Sequence, residues 1–250
     1  MKNEPHDNGP ASPAARARLG KDEVNALPLF RYGGKISLVR TDADAAYALS
    51  RLGRPSVLGF DTETRPSFFR GVSYLPSLVQ LALEDEVFLF HFKWRPLGPD
   101  LLSLFENPAV IKTGVAVHDD MRFLCAVRPF RPASVIDLGE VARLNNIENR
   151  GLRGLAALFL GLRVSKTEHC SNWGHGELSP RQISYAATDA WVSLALYLKM
   201  REAGLDFSGE ENREERTPPD DNERRRRRVR ARRVVRVSLS GTRKPENPEP

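Results

Sequence analysis

Asp61 and Glu63 stand one residue apart at the end of an apolar run, Val57-Leu58-Gly59-Phe60. In an extended strand, side chains at i and i+2 leave the same face, so the two carboxylates project side by side while Phe60 and Thr62 point the other way. Like charges at that separation repel, and an ionised carboxylate in apolar surroundings costs several kcal/mol unless a cation or a donor compensates it. A divalent cation held between the two acids would do so, which directs attention to metal-assisted chemistry.

Two more segments carry acids in a comparable setting. Val115-Ala116-Val117-His118-Asp119-Asp120-Met121-Arg122-Phe123-Leu124 runs from a strand into a helix. Asp120 has Leu124 and Val127 at i+4 and i+7, the face that packs on a sheet. Asp119 stands where a helix-capping side chain belongs, so chemistry is assigned to Asp120. The third segment is a long helix introduced by Ser179-Pro180-Arg181-Gln182, a capping box with proline at the first helical position. In its register Tyr185 and Asp189 are i and i+4 and share a face, and Ala186, Ala187 and Ala190 leave room for close approach to a sheet.

These acids need elements that bring distant segments together. Residues 35–40 alternate as a short strand, and Thr41 caps a helix stopped by Gly53. The runs 78–83 and 87–92 flank only Glu84-Asp85-Glu86, a turn short enough for an antiparallel hairpin. Further on the pattern predicts helix at 97–106, strand at 110–117, helix at 119–127, strand at 135–138, and helices at 138–145, 151–160 and 179–203. A three-stranded antiparallel meander followed by alternating strands and helices predicts an α/β fold, a mixed sheet covered by helices on both faces. One domain is expected over residues 28–206. Residues 1–27 read as a disordered arm and residues 207–250 as a disordered basic tail rich in Glu, Arg and Pro.

Composition narrows the function classes. Of the net charge of +6, four charges lie from Ser208 onward, where 13 basic and 9 acidic residues follow, so the body is nearly neutral. No run approaches the roughly 20 apolar residues needed to cross a bilayer, and the first residues have no apolar stretch that would mark secretion; a cytoplasmic protein is expected. Two cysteines, Cys125 and Cys170, suit neither a disulfide framework nor a zinc cluster. No P-loop is present, so no nucleotide cofactor is expected.

Phe60-Asp61-Thr62-Glu63, His118-Asp119-Asp120 with Leu124 four residues on, and Ser171-Asn172-Trp173 followed by Tyr185-Ala186-Ala187-Thr188-Asp189-Ala190 resemble the three exonuclease motifs of the DEDDy superfamily. Within it the chain is most similar to ribonuclease D and Werner-syndrome exonuclease domains, over roughly residues 35–203. The resemblance implies a ribonuclease H-like fold and 3′-5′ exonuclease activity, with two divalent metal ions, Mg²⁺ or Mn²⁺, and release of nucleoside monophosphates. Carried onto matching positions, Asp61, Glu63, Asp120 and Asp189 would bind metal, Tyr185 would orient the attacking water, and the backbone at Thr62 and Glu63 would hold the terminal 3′-hydroxyl. Two metals roughly 4 Å apart can activate water and clamp the attacking and leaving oxygens of an in-line displacement. The helical domains that follow the exonuclease part of a ribonuclease D, and the Werner helicase, are not expected from the residues after 206, which read as a tail alone. Gly174-His175-Gly176-Glu177 also lacks the basic residue often found shortly after the Trp, for which Lys166 or Arg181 could substitute.

A single-stranded 3′ end is the partner that this reading implies, and stacking on aromatic rings contributes ~1 to 3 kcal/mol per base. Phe68, Phe69, Arg65 and Arg70 follow the catalytic strand directly and are the candidate contacts, although both phenylalanines could equally belong to the core. Trp173 either stacks on a base or anchors the loop before the last helix. Arg224, Arg225, Arg226, Arg227 and Arg228 open a run that would neutralise phosphates without sequence preference, or else form a solvated tail masked by neighbouring acids. The alternatives to catalysis are a nucleic-acid-binding module that keeps the fold without activity, and a ribonuclease H-like endonuclease.

Overall fold

A computed structural model describes residues 18–67 and 74–213 of the chain. Six strands form one sheet: β1 (Lys35–Leu38), β2 (Val57–Thr64), β3 (Pro76–Ala82), β4 (Glu86–His91), β5 (Ile111–Gly114) and β6 (Val135–Asp137), in the spatial order β1-β4-β3-β2-β5-β6. β2, β3 and β4 form the expected antiparallel meander. β1 joins β4, β5 joins β2 and β6 joins β5 in parallel, which requires crossovers. The helices α2 (Asp42–Leu52), α3 (Pro99–Glu106) and α4 (Val117–Val127) supply them, and α5 (Leu138–Leu144), α6 (Leu152–Leu155) and α7 (Pro180–Glu202) complete the layers.

Alternation along the strands divides the core in two. Leu58, Phe60, Val79, Leu81 and Phe88 face α2, α3 and α4, with Phe105 and Leu124 among the residues that meet them. Leu78, Ala82, Val87 and Leu89 face α7 through Ala186, Ala187 and Ala190. Helices therefore cover both faces, as the pattern of elements predicts. α7 starts where the sequence places it: the Ser179 Oγ accepts from the Gln182 N–H at 3.2 Å and the Gln182 Oε1 accepts from the Ser179 N–H at 2.9 Å.

Two glycines set how closely the layers meet. A Cβ on Gly59 would lie 2.1 Å from the Ala190 carbonyl oxygen, so only glycine lets α7 press against β2. A Cβ on Gly114 would lie 2.3 Å from the Phe60 carbonyl oxygen and 2.7 Å from Val117 Cγ1, so the turn from β5 into α4 crosses tightly over β2. Both contacts sit within two residues of Asp61.

Several expectations need correction. Residues 21–26, placed in a disordered arm, form α1 (Lys21–Ala26), with Val24 buried and the Leu19 N–H donating to Asn149 Oδ1 at 2.7 Å. Past the expected boundary at 206 lies α8 (Ser208–Glu211), whose Glu210 is buried. Both segments are too short and polar to show a hydrophobic period of their own; their contacts are with distant parts of the chain. Glu86 is not a turn residue but the first of β4, fully buried. The helix expected at 151–160 is one turn of α-helix and then a π-helical turn, Ala156–Leu160, closed by Gly161 at φ +64°. Asp119 is not the cap of α4: that place is taken by Ala116 at φ +62°, while exposed Asp119 pairs with Arg122 at 2.9 Å.

Candidate active site

The acidic site is built at the end of β2, where the register with β3 slips between Glu63 and Thr64. Bulges of this kind re-aim side chains at strand ends. Carboxylate oxygens of Asp61, Glu63 and Asp189 lie within 4.8 Å of one another, so β2 and α7 bring together acids more than a hundred residues apart. The contact at Gly59 makes this possible, because Asp189 precedes Ala190 on the same turn of α7.

Asp120 stands beside this trio rather than within it. It comes from the first turn of α4, and its Oδ1 accepts a hydrogen bond from the Thr62 hydroxyl at 2.6 Å. Its charge reaches Asp61: burial first, then the Asp120 and Asp189 carboxylates, hold the Asp61 carboxyl well above the usual carboxylate range. Asp61 is thus flanked on one side by Glu63 and Asp189 and on the other by Asp120. The turn that delivers Asp120 is secured by Asp137, whose Oδ1 accepts from the Ala116 N–H at 3.2 Å and from Gly139 N–H, the start of α5, at 2.9 Å. His118, on the same first turn, meets Glu210 of α8 at 2.6 Å, and that carboxylate also accepts from the Asp137 N–H at 2.9 Å.

Electrostatically the site is strained. Burial and then the Asp61 and Asp189 charges push Glu63 up to about 10. Burial pushes Asp120 and Asp189 up to about 7, although the Thr62 hydroxyl on one and the Tyr185 hydroxyl on the other pull downward. None of the four carboxylates forms an ion pair with a described Lys or Arg, and Asp189 Oδ1 is buried without a hydrogen-bond partner. Buried carboxylates left in this state cost stability unless a cation joins them. A set of hard oxygen donors of this charge suits Mg²⁺ or Mn²⁺.

Tyr185 is half-buried, and its hydroxyl adjoins the Asp189 carboxylate. Burial, then the Asp189 and Glu63 charges, raise its pKa above the ordinary phenol value, so it keeps its proton at neutral pH. Its ring tilts against Trp173, with centroids 6.0 Å apart. A cleft of about 300 Å³ opens here, lined by Asp61, Tyr185 and Asp189 together with Arg153, Lys166 and His169.

The candidate substrate contacts are distributed unevenly. Trp173 is fully buried and its carbonyl meets the His91 Nε2 at 3.0 Å; it anchors the loop and offers no face to a base, which corrects its place among the substrate contacts. Arg65 is exposed just past β2, its guanidinium 4.9 Å from the centroid of the Tyr74 ring. Phe68, Phe69 and Arg70 lie outside the described residues, as do Arg224, Arg225, Arg226, Arg227 and Arg228. Lys166 lines the cleft, whereas Arg181 is exposed and does not. Sequence reasoning missed Asp137, His118 and Glu210. Asp137 could have been found from its place between a strand and a helix, the position of an N-cap; nothing local marks Glu210.

No helix among the described residues is long and apolar enough to cross a membrane. Residues 36–204 match the 3′-5′ exonuclease family. The chain is 31% identical over 188 residues to the Mus musculus bifunctional 3′-5′ exonuclease/ATP-dependent helicase WRN, covering 71% of this chain and 13% of that protein. Among solved structures it resembles the Aedes aegypti Nibbler EXO domain, with a TM-score of 0.63 at 25% identity over 75% of this chain and 98% of that one. It shares the fold of Escherichia coli RNase D, with a TM-score of 0.60 at 22% identity over 68% of this chain and 45% of that one. These relatives confirm the ribonuclease H-like architecture, and since the match runs from β1 to just past α7, the chain belongs to the 3′-5′ exonuclease domain family.

Proposed function

We propose that this chain is a metal-dependent exonuclease of the DEDDy type, which removes nucleoside monophosphates from the 3′ end of a single-stranded nucleic acid. The observation that carries this reading is the convergence of Asp61, Glu63 and Asp189 within 4.8 Å, with Asp120 on their flank and no described cation to balance them. Asp61, Glu63, Asp120 and Asp189 would hold two divalent ions, Mg²⁺ or Mn²⁺, with Asp61 the shared ligand because both sides of the site adjoin it. When bound, the ions would neutralise the carboxylates, activate a water and stabilise the attacking and leaving oxygens of the displacement.

The chain's own groups do the rest. Thr62 orients the Asp120 carboxylate through its hydroxyl, and its backbone with that of Glu63 receives the terminal 3′-hydroxyl. Tyr185, which keeps its proton, positions the attacking water by hydrogen bond and does not act as a base. Arg65 contacts the substrate beside β2; the further contacts expected from Phe68, Phe69, Arg70 and the arginine run from 224 lie outside the described residues. The two cysteines, Cys125 and Cys170, which suit neither a disulfide framework nor a zinc cluster, fit a reducing cytoplasm.

The test uses a 5′-labelled single-stranded oligomer, as DNA and as RNA. With Mg²⁺ or Mn²⁺ the label should pass through a descending ladder while monophosphates appear, and chelator should stop it. Cleavage of a circular single strand, or full activity in Asp61→Asn, would refute the proposal. An oligomer bound but never shortened, whatever the metal, would identify a binding module instead.

A further inference from the structure

A second cleft, of about 220 Å³, lies at the start of β3 and the end of β4, lined by Leu75, Pro76, Ser77, His91, Lys93 and Gly174 among others. Its floor is the start of β3, where Pro76 pairs with Thr64 and Leu78 with Glu63. One strand spacing, about 4.8 Å, therefore separates this floor from the strand that carries the acids.

Gly174 contributes to the wall of the cleft, and the segment after Trp173 that carries it is clamped from two directions. The Trp173 carbonyl meets the His91 Nε2 at 3.0 Å, and the Gly176 carbonyl accepts from the Trp94 indole N–H at 2.6 Å. Each glycine of the segment carries the stem of a basic side chain from elsewhere. A Cβ on Gly174 would lie 3.4 Å from Arg65 Cδ, and one on Gly176 would lie 3.3 Å from Lys93 Cδ and 3.8 Å from its ammonium nitrogen. Side chains at these two positions would crowd the stems; glycine leaves them room to extend along the wall. The neighbouring acid does not neutralise them: Glu177 pairs with Arg40 at 3.8 Å, and Arg40 is itself held over the Trp94 ring at 4.4 Å. Among the described residues neither Arg65 nor Lys93 has a carboxylate partner, and both are exposed.

Two cations without a carboxylate partner, Lys93 lining the cleft and Arg65 against Gly174 at its edge, give the chemistry of an anion-binding groove one strand away from the acids. We infer that Lys93 and Arg65, seated on Gly176 and Gly174, bind backbone phosphates of the single strand that leads to the acids. This inference rests on the reading of the acids as the cleavage site. Lys93, in the turn just past β4, thereby supplies the positive charge that the segment 174–177 lacks.

The experiment measures binding of a fluorescent single-stranded 12-mer to the full chain in chelator, across a range of salt, with Lys93→Gln, Arg65→Gln, the double variant and Lys93→Arg. Lys199→Gln, whose ammonium pairs with Glu202 at 2.8 Å on the far end of α7, is the control. Each lost contact should weaken binding several-fold and flatten the slope of log affinity against log salt by about 0.7. Lys93→Arg should restore both, and with metal Lys93→Gln should raise KM more than it lowers kcat. Unchanged affinity and salt slope in the double variant would overturn the inference, as would an equal loss in the Lys199→Gln control. Because binding is read without metal, the two readings can fail separately: a chain that shows these losses yet never shortens an oligomer keeps the groove and loses the exonuclease.

Discussion

Two regions of this molecule bury carboxylates, and they do so in opposite ways. Glu86, at the start of β4, is fully buried but surrounded by donors: Ser37 at 2.6 Å, Tyr47 at 2.8 Å, Lys35 at 2.9 Å and Arg51 at 3.1 Å. Burial pushes its carboxyl up, and the bonds from Ser37, Lys35 and Tyr47 together bring it below the ordinary range. Glu63 and Asp189 are almost as buried, at 6% and 5% exposure, yet they face other acids and are raised. Burial is thus not what distinguishes the site; the missing counter-charge is. A carboxylate whose partners are all in the chain holds the fold together, and one whose partner is absent from the chain is available to bind a cation.

The largest effect that would test this contrast is on activity. Asp189→Asn removes a negative ligand and the partner of Tyr185 without changing volume, and kcat on a labelled oligomer should fall at least about a hundredfold; a loss under threefold would break the comparison. Glu86→Gln should leave kcat nearly unchanged and instead lower unfolding stability by about 2 kcal/mol, read by denaturant melts. In the same melts, without metal at pH 8, Glu63→Gln should move the other way and stabilise the chain by at least about 1 kcal/mol, because it removes a buried group that resists ionisation. Equal signs for the two substitutions would mean that both acids are structural.

The mildest test changes pH alone. Raised carboxyls bind protons in the folded state at pH values where the unfolded chain has lost them. Stability of the metal-free chain should therefore fall as pH rises from about 4, the unfolded value, through about 7 for Asp120 and Asp189 and towards about 10 for Glu63. Glu86 has the opposite sign: its contribution is present above the unfolded value and is lost as pH falls through its depressed one. Saturating Mg²⁺ should flatten the fall at neutral pH while leaving the acid limb in place. Metal affinity itself should tighten as pH rises through 7, since ligands must lose their protons to bind.

How much of this was legible depended on the range of the interaction responsible. The pairing of Asp61 with Glu63 and of Tyr185 with Asp189 follows from the strand and helix periods, and the α7 capping box fixed the register of the latter. The antiparallel hairpin was visible from its short connection, but Glu86 looked like part of an acidic turn because its four donors come from β1 and α2. Asp119 looked like a cap because acids favour first turns, whereas the turn is in fact held from β6 by Asp137. Trp173 was ambiguous for the same reason: only the packing around it shows that no face is free.

The amino-acid sequence by itself determined which acids share a face and in what order the elements run, because those are properties of a few consecutive residues. Only the tertiary structure decided that α7 and the α4 turn press close enough on β2, at Gly59 and Gly114, to bring Asp189 and Asp120 beside Asp61. The repulsion that raises these carboxyls, and hence their appetite for a cation, exists only at that contact distance, since Coulomb energy in a desolvated site grows steeply as charges approach.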